Sequence, residues 1–364
     1  MSAKELFPVI IASGSPYEIG FTHGKEGKKQ VDVSISTYKS MFLDYSNITW
    51  DAALSYAKTF IPVINEYDPD YMQEIQGIAD GSGYRLEEIL ALNVRSEIVL
   101  QGSQIGAPPA DGCTSFVFTP EFTQNGDTIL GQNWDWKLTE QAGLIIIHMR
   151  QQNKPDVTMV TEAGIIGKIG YNSAGIGICL NALASDKKVP GKVIPLHIAM
   201  RGMLDQWTLV DMVRATTQVN LACCAHFMIA SSKGEGMSLE IGPADFDALY
   251  AEDGWLAHTN HFITPRLSYV KDTSRIAFPD TLQRLGRLRK MIKGLDRKVS
   301  IHDIKAMMAD HTAYPSSICR HENMHEPAGK RIGTLFSIIM DLERGEMYFA
   351  PGCPCINDYT LMKF

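Results

Sequence analysis

The 364-residue chain has no run of ~18 consecutive apolar residues, the length a membrane-spanning helix needs, although 45% of its residues are hydrophobic. It can bury a large core, and a membrane span is not expected. It also lacks a dense block of lysine or arginine, and its formal net charge is −7. A nucleic-acid partner is excluded on that ground, because gripping phosphates needs clustered positive charge. No phosphate-cradling loop of P-loop type is present, and Gly164-Ile-Ile-Gly167 is too short a glycine pattern to replace one. A small-molecule substrate is the expectation that remains.

Addressing signals are missing as well. Phe7 to Ala12 is too short for a secretory apolar region, and Thr360-Leu-Met-Lys-Phe364 is no peroxisomal or retention address. A cytoplasmic location is expected, which leaves the glycosylation pattern Asn47-Ile-Thr49 without meaning. The seven cysteines are odd in number and scattered, unlike a disulfide framework. Cys179 and Cys223-Cys224 sit in apolar runs and read as small core hydrophobes. Cys353-Pro-Cys355 is spaced too tightly for the usual zinc pair, with no second pair nearby, and reads as a C-terminal turn. No metal and no cofactor are expected.

What is present divides near residue 112. Residues 1–112 read as mainly helical. A short strand at Phe7 to Ala12 and the turn Gly14-Ser-Pro16 precede a helix through Met41. Further helices are expected near 50–66, 69–80 and 86–100, the last on the apolar repeat of Leu86-Glu-Glu-Ile-Leu-Ala-Leu. Gly102 to Gly112 has the composition of an exposed connection. From Cys113 the texture turns to strands. Hairpins are predicted around Asn125-Gly126-Asp127, Lys154-Pro155-Asp156 and Arg344-Gly345. Sheet is expected over 168–183, 225–242 and 247–258, with helices over 195–218, 280–294 and 301–309. Strand blocks alternating with helix pairs predict an α+β fold rather than a βαβ repeat, with 1–112 and 113–364 forming one domain.

Asp111-Gly-Cys-Thr-Ser115 puts a cysteine where the flexible connection meets the first strand of a sheet. A single cysteine is ordinarily buried structure. Here a glycine precedes it, leaving its carbonyl open to attack and the backbone free to bend. Thiol attack on the Gly112 carbonyl, followed by hydrolysis, would leave Cys113 with a free amine. An α-amine of pKa about 8 can relay the thiol's proton, so nucleophile and base share one residue. Asp135 in Gly131-Gln-Asn-Trp-Asp135 is placed at the end of the pairing strand, within reach of residue 113. Asn260 in His258-Thr-Asn-His261 suits an oxyanion donor. Arg320 could make a forked contact with a carboxylate or acyl carbonyl. The ordinary readings of these residues are turn formers and a solvated surface charge.

These stretches, with Thr161-Glu-Ala-Gly-Ile-Ile-Gly-Lys-Ile-Gly-Tyr-Asn-Ser-Ala-Gly175, Tyr314-Pro-Ser-Ser-Ile-Cys-Arg320 and Gly333-Thr-Leu-Phe-Ser337, occur in order along the chain. So do Glu18-Ile-Gly-Phe-Thr-His-Gly24 and Asn93-Val-Arg-Ser-Glu97. Together they resemble the acyl-coenzyme A:6-aminopenicillanic acid acyltransferase (isopenicillin N acyltransferase) family over nearly the whole chain. The resemblance implies an N-terminal nucleophile hydrolase fold, a four-layer αββα sandwich. It implies autocleavage between Gly112 and Cys113 into associated chains, 112 residues ahead of the cut and the other 252 of the 364 after it. It implies Cys113 as nucleophile, Asp135 orienting its amine, Asn260 donating to the oxyanion and Arg320 organising the site. Ser115 replaces a threonine whose hydroxyl assists processing. The fungal penicillin enzymes carry a peroxisomal tail that Phe364 does not supply, so the resemblance speaks for the machinery more than for penicillin synthesis.

Three other readings compete. His321-Glu-Asn-Met-His325 spells the H-E-x-x-H zinc pattern, but Pro327 and Gly329 follow at once and leave no room for its helix. It reads as a surface loop. A non-catalytic binding protein is a second rival. Within the enzyme reading, a Cys113 thioester can be intercepted by water in an amidase or by an amine in an acyltransferase of penicillin type. The substrate is then a small N-acyl amide or acyl thioester.

Overall fold

The computed structural model describes residues 7–102, 112–187, 189, 191–327 and 331–364, so the Gly102–Gly112 connection lies outside them except at its two ends. The chain divides into two compact units. One comprises Met1–Pro109, Thr139–Ala174 and Lys187–Cys223; the other comprises Ala110–Leu138, Gly175–Asp186 and Cys224–Phe364. The first unit draws on chain from both sides of Gly112–Cys113.

In the first unit the helices start where their caps dictate. Ser15 closes a capping box with Glu18 at the head of Pro16–Glu26, and Asp68 caps Pro69–Ser82, each with proline in the first turn. The helix expected to run to Met41 is two, Pro16–Glu26 and Lys28–Ser46, parted at Gly27, whose N–H bonds the His23 carbonyl. Pro16–Glu26 and Pro69–Ser82 lie in near backbone contact. A Cβ at Gly20 or Gly24 would sit 2.0 or 2.2 Å from the Glu74 or Ile78 carbonyl oxygen, and one at Gly77 would sit 2.2 Å from that of Tyr17. Strand Val9–Gly14 runs parallel to Leu144–Gln151, which pairs antiparallel with Val157–Glu162, and that in turn with Ile169–Asn172.

The second unit holds strands of two sheets. Strands Ile176–Ala182, Ala225–Ser231, Glu235–Ile241 and Phe246–Tyr250 pair in sequence, all antiparallel. A six-stranded sheet runs Trp255–His258, Thr114–Phe118, Ile129–Lys137, Ile332–Asp341, Glu346–Pro351, Thr360–Lys363. Gln132 bridges them: its amide nitrogen donates to the Leu180 carbonyl (2.5 Å) and its oxygen accepts the Leu180 N–H (2.9 Å). On the other side of the six-stranded sheet, Phe116, Phe118, Ile129 and Ile339 pack on Leu285, Leu288 and Ile292 of helix Asp280–Lys293 and on Ile304, Met307 and Met308 of Ile301–Met308. Thr114–Phe118 and Ile129–Lys137 are therefore buried on both faces and read as near-continuous apolar runs.

The α+β class and the sheet and helix composition expected of the N-terminal nucleophile hydrolase fold are present. All three hairpins form, and Gly126 and Gly345 take positive φ at two of their turns. The strand Thr360–Lys363 and the short helix Ser274–Ala277 were not anticipated. Among the described residues no helix is long and apolar enough to cross a membrane.

Two glycine substitutions with opposite outcomes test this packing. Gly77→Ala drives a methyl into the Tyr17 carbonyl and should cost about 1–3 kcal/mol. Gly286→Ala, on an exposed helix face with nothing within 4 Å, should add about 0.5–1 kcal/mol. Urea denaturation of both variants beside the wild type checks the signs.

Candidate active site

The site lies within the second unit, around the start of strand Thr114–Phe118. The ladder sets Thr114 opposite Asn133, and Asp135 opposite Thr334 on the far side. Asp135 thus stands inside its strand, which continues to Lys137, rather than at the strand end expected from sequence. Its carboxylate still reaches the residue-113 end of the partner. A Cβ on Gly112 would lie 2.9 Å from Asp135 Oδ2 and 2.6 Å from Arg320 Nε, so only glycine fits ahead of Cys113.

Cys113 is 1% exposed. Its N–H donates to Asn260 Oδ1 (2.8 Å), and its carbonyl accepts from Arg284 Nη1 (2.5 Å). Arg284 also donates to Thr114 Oγ1 (3.1 Å), Asn260 Oδ1 (3.0 Å) and Asp280 Oδ2 (2.9 Å). A guanidinium only donates, so it fixes the orientation of the Asn260 amide with oxygen toward Cys113. Asn260 Nδ2, the group expected to serve an oxyanion, donates to the Ala182 carbonyl (3.2 Å). The Asn260 loop is tied to the head of helix Asp280–Lys293, where Thr281 Oγ1 accepts the Asn260 N–H (2.7 Å).

Arg320 is buried rather than the solvated charge that a lone arginine ordinarily is. Its Nε donates to Asp135 Oδ2 (3.1 Å), its Nη2 to Asp280, and its own N–H to Thr334 Oγ1 (2.9 Å), which in turn donates to Asp135 Oδ1 (2.6 Å). Asn133 fixes the loop carrying it, donating to the carbonyls of Met308 (2.8 Å) and Ile318 (2.9 Å). Charges alternate along Asp135, Arg320, Asp280 and Arg284. Burial pushes Asp280 upward, but Arg284 and Arg320 together hold it below the ordinary carboxylate range. Asp135 is more deeply buried, and that lifts it to about 7 against the pull of Arg320 and Arg284.

Ser115, two residues along the strand, shares a face with Cys113. Its hydroxyl donates to Asn181 Oδ1 (2.6 Å), which also meets His226 Nδ1 (2.9 Å). All the residues singled out in the sequence, Gly112, Cys113, Ser115, Asp135, Asn260 and Arg320, thus fall in one region. Arg284, Asp280 and Asn181 were missed. Asp280 and Arg284 look like an ordinary surface pair at helical spacing, and nothing local says that the arginine turns inward. The His321–His325 stretch forms no helix, and Glu322 pairs with Arg331 (2.9 Å), as the loop reading expects.

A model of the family described as acyl-coenzyme A:6-aminopenicillanic acid acyl-transferase matches residues 122–354. The chain belongs to this family. It is 30% identical over 335 residues to the 40 kDa form of acyl-coenzyme A:6-aminopenicillanic-acid-acyltransferase from Emericella nidulans, covering 91% of this chain and 89% of that one. Among solved structures, an N-acylethanolamine-hydrolyzing acid amidase ortholog from Caenorhabditis elegans aligns at a TM-score of 0.46 and 18% identity, over 64% of this chain and 93% of its own. A conjugated bile acid hydrolase mutant from Clostridium perfringens aligns at 0.46 and 15%, over 69% and 97%. The family member described here is an enzyme of acyl transfer or amide-bond chemistry.

The raised Asp135 carboxyl fixes a sign. A folded value of about 7 against an ordinary 3.8 means that the neutral acid favours folding and the ion does not. Its contribution is complete below the ordinary value and is lost as the pH rises through about 7. Between about pH 5 and pH 8 the wild type should lose Tm relative to Asp135→Asn, which has no charge to gain. Thermal scans of both proteins at the two pH values measure this; a relative gain by the wild type has the wrong sign.

Proposed function

We propose that the chain is a self-processing N-terminal cysteine amidohydrolase or acyltransferase for small N-acyl compounds. The observation that carries the reading is the held Gly112–Cys113 peptide. Its nitrogen is bound by Asn260, its following carbonyl by Arg284, and its glycine lies where a side chain would strike Asp135 and Arg320. Clamping on both sides favours attack by the neighbouring thiol over peptide rotation.

In processing, Cys113 Sγ adds to the Gly112 carbonyl. Collapse breaks the C–N bond, gives a Gly112 thioester and moves a proton to the departing Cys113 nitrogen. One water then releases the Gly112 carboxyl and restores the thiol. Ser115, whose hydroxyl is kept where the family has threonine, assists this step. In turnover the free amine, of pKa about 8, takes the thiol proton as sulfur attacks the substrate carbonyl, and delivers it to the leaving amine. Asn260 Oδ1 and Asp135 hold the amine, the Asn260 Nδ2 hydrogen not given to Ala182 donates to the substrate oxyanion, and Arg320 holds Asp135 in place. The acyl-enzyme is cleared by water or by an acceptor amine, two outcomes of one intermediate.

Intact mass under denaturing conditions tests the processing step. By residue share the 40.4 kDa chain should give fragments of roughly 12 and 28 kDa. Cys113→Ala should stay whole and inactive. A wild type that stays whole yet turns over substrate overturns the mechanism.

Product analysis tests the direction. With an acyl thioester alone, free acid should form; with an added amine, a growing share of amide marks a transferase, and unchanged acid marks a hydrolase. Asn260→Ala should slow either route by about 10²–10³.

A further inference from the structure

The fold assembles a second cluster of reactive side chains, separate from the Cys113 region and unused by the chemistry above. Cys353-Pro-Cys355 has no partner pair nearby in sequence, but the structure supplies one. His311, Cys319, His321 and Cys355 each offer one ligand atom, and these atoms all lie within 4.8 Å of one another. His321 Nε2 is 3.0 Å from His311 Nε2, 3.7 Å from Cys319 Sγ and 3.3 Å from Cys355 Sγ. With bonds of about 2.3 Å to sulfur and 2.0–2.1 Å to nitrogen, a tetrahedral ion sets such atoms about 3.3–3.8 Å apart. The spacings cluster around that range, and two sulfurs with two imidazoles make a closed Cys2His2 set.

We infer that His311, Cys319, His321 and Cys355 bind one zinc ion as a structural site. Thiolate and imidazole ligands in a tetrahedral set select zinc over the oxygen-preferring calcium and magnesium. Four protein ligands leave no open position for water, so the ion holds structure rather than activating a nucleophile. Binding displaces the two thiol protons to solvent and leaves both imidazoles neutral. Supporting contacts surround the set: the Cys319 N–H donates to the Asp310 carbonyl (3.1 Å) and the His321 N–H to that of Pro315 (2.9 Å). Cys353 donates to the Arg320 carbonyl (3.4 Å), just outside the four. Two of the ligands flank Arg320. The ion would therefore pin the loop that carries this arginine to the C-terminal segment, from a distance and without touching substrate.

The test uses the untagged full-length protein, purified without chelator. Elemental analysis should find about one zinc per chain, and Cys355→Ser and His311→Ala should each lower this about tenfold or more. Cys353→Ser should retain it. Cobalt(II) exchanged into the wild type should give the intense visible bands of a tetrahedral centre and a thiolate charge-transfer band in the near ultraviolet. Since the cobalt spectrum needs only the wild type, poor folding of a variant does not blunt the test. A wild type without zinc after incubation with the ion and desalting overturns the site. So does an octahedral cobalt spectrum, retention of zinc in both ligand variants, or an intact mass short by the two hydrogens of a disulfide. None of these readouts depends on turnover, so they stand apart from the fate of the Cys113 mechanism.

Discussion

The candidate site depends on a buried chain of alternating charge, Asp135, Arg320, Asp280 and Arg284, ending on the Cys113 carbonyl and the Asn260 amide. Taking charged groups out of water is costly, and their attraction repays it only with close geometry and satisfied hydrogen bonds. Alternation meets that condition, because Arg320 lies between two carboxylates and Asp280 between two guanidiniums. The side chains come from strand Ile129–Lys137, the loop at Arg320 and helix Asp280–Lys293. The network therefore fixes three elements against one another as well as against the strand that begins after Cys113. Asp135 remains the weak member, since its burial outweighs the help of both arginines. That places its ionisation near neutrality.

The first unit also buries charge. Glu162 is fully buried, yet Arg95 and Lys168 overcome that burial and hold it below the ordinary carboxylate range, while the neighbouring Glu140, buried and facing the Glu162 charge, is pushed above it. Two carboxyls in one interior are thus forced apart, one ionised and one neutral, because both cannot carry charge together. Arg201 likewise sits between Glu74 and Asp205. In this unit such clusters join helices to strands. Buried charge alone does not mark a catalytic centre in this protein. The cysteine, with a glycine before it and an amide held on its nitrogen, distinguishes the second unit.

Much of the fold was legible because its signals are local. Ser15 with Glu18, Asp68 with Pro69, and the turn residues at Gly126 and Gly345 each act within four residues, and the elements they bound form where expected. The errors come from tertiary context. Gly27 splits a helix whose apolar pattern runs on, and Thr360–Lys363 becomes a strand because Glu346–Pro351 offers an edge to pair with. The site was half legible for the same reason. Cys113, Asp135 and Asn260 stand in distinctive stretches, whereas Arg284 and Asp280 have the spacing of a surface pair. Their role arises only because helix Asp280–Lys293 turns Arg284 toward the start of strand Thr114–Phe118.

His321 shows the limit from both sides. Its H-E-x-x-H string names a metal site that requires a helix, and the prolines and glycine around it deny that helix. Its Nε2 instead meets His311, Cys319 and Cys355, separated from it by 10, 2 and 34 positions. No regular spacing joins those numbers, so no motif could have named the group. What joins them is the course of strand Glu346–Pro351, which carries the chain from the sheet to Cys353 and Cys355, and the anchoring of the opposite loop by Asn133 at Ile318. Asn133 belongs to the strand that also carries Asp135. One strand of the six-stranded sheet thus orders both the surroundings of Cys113 and the loop that brings these cysteines and histidines together.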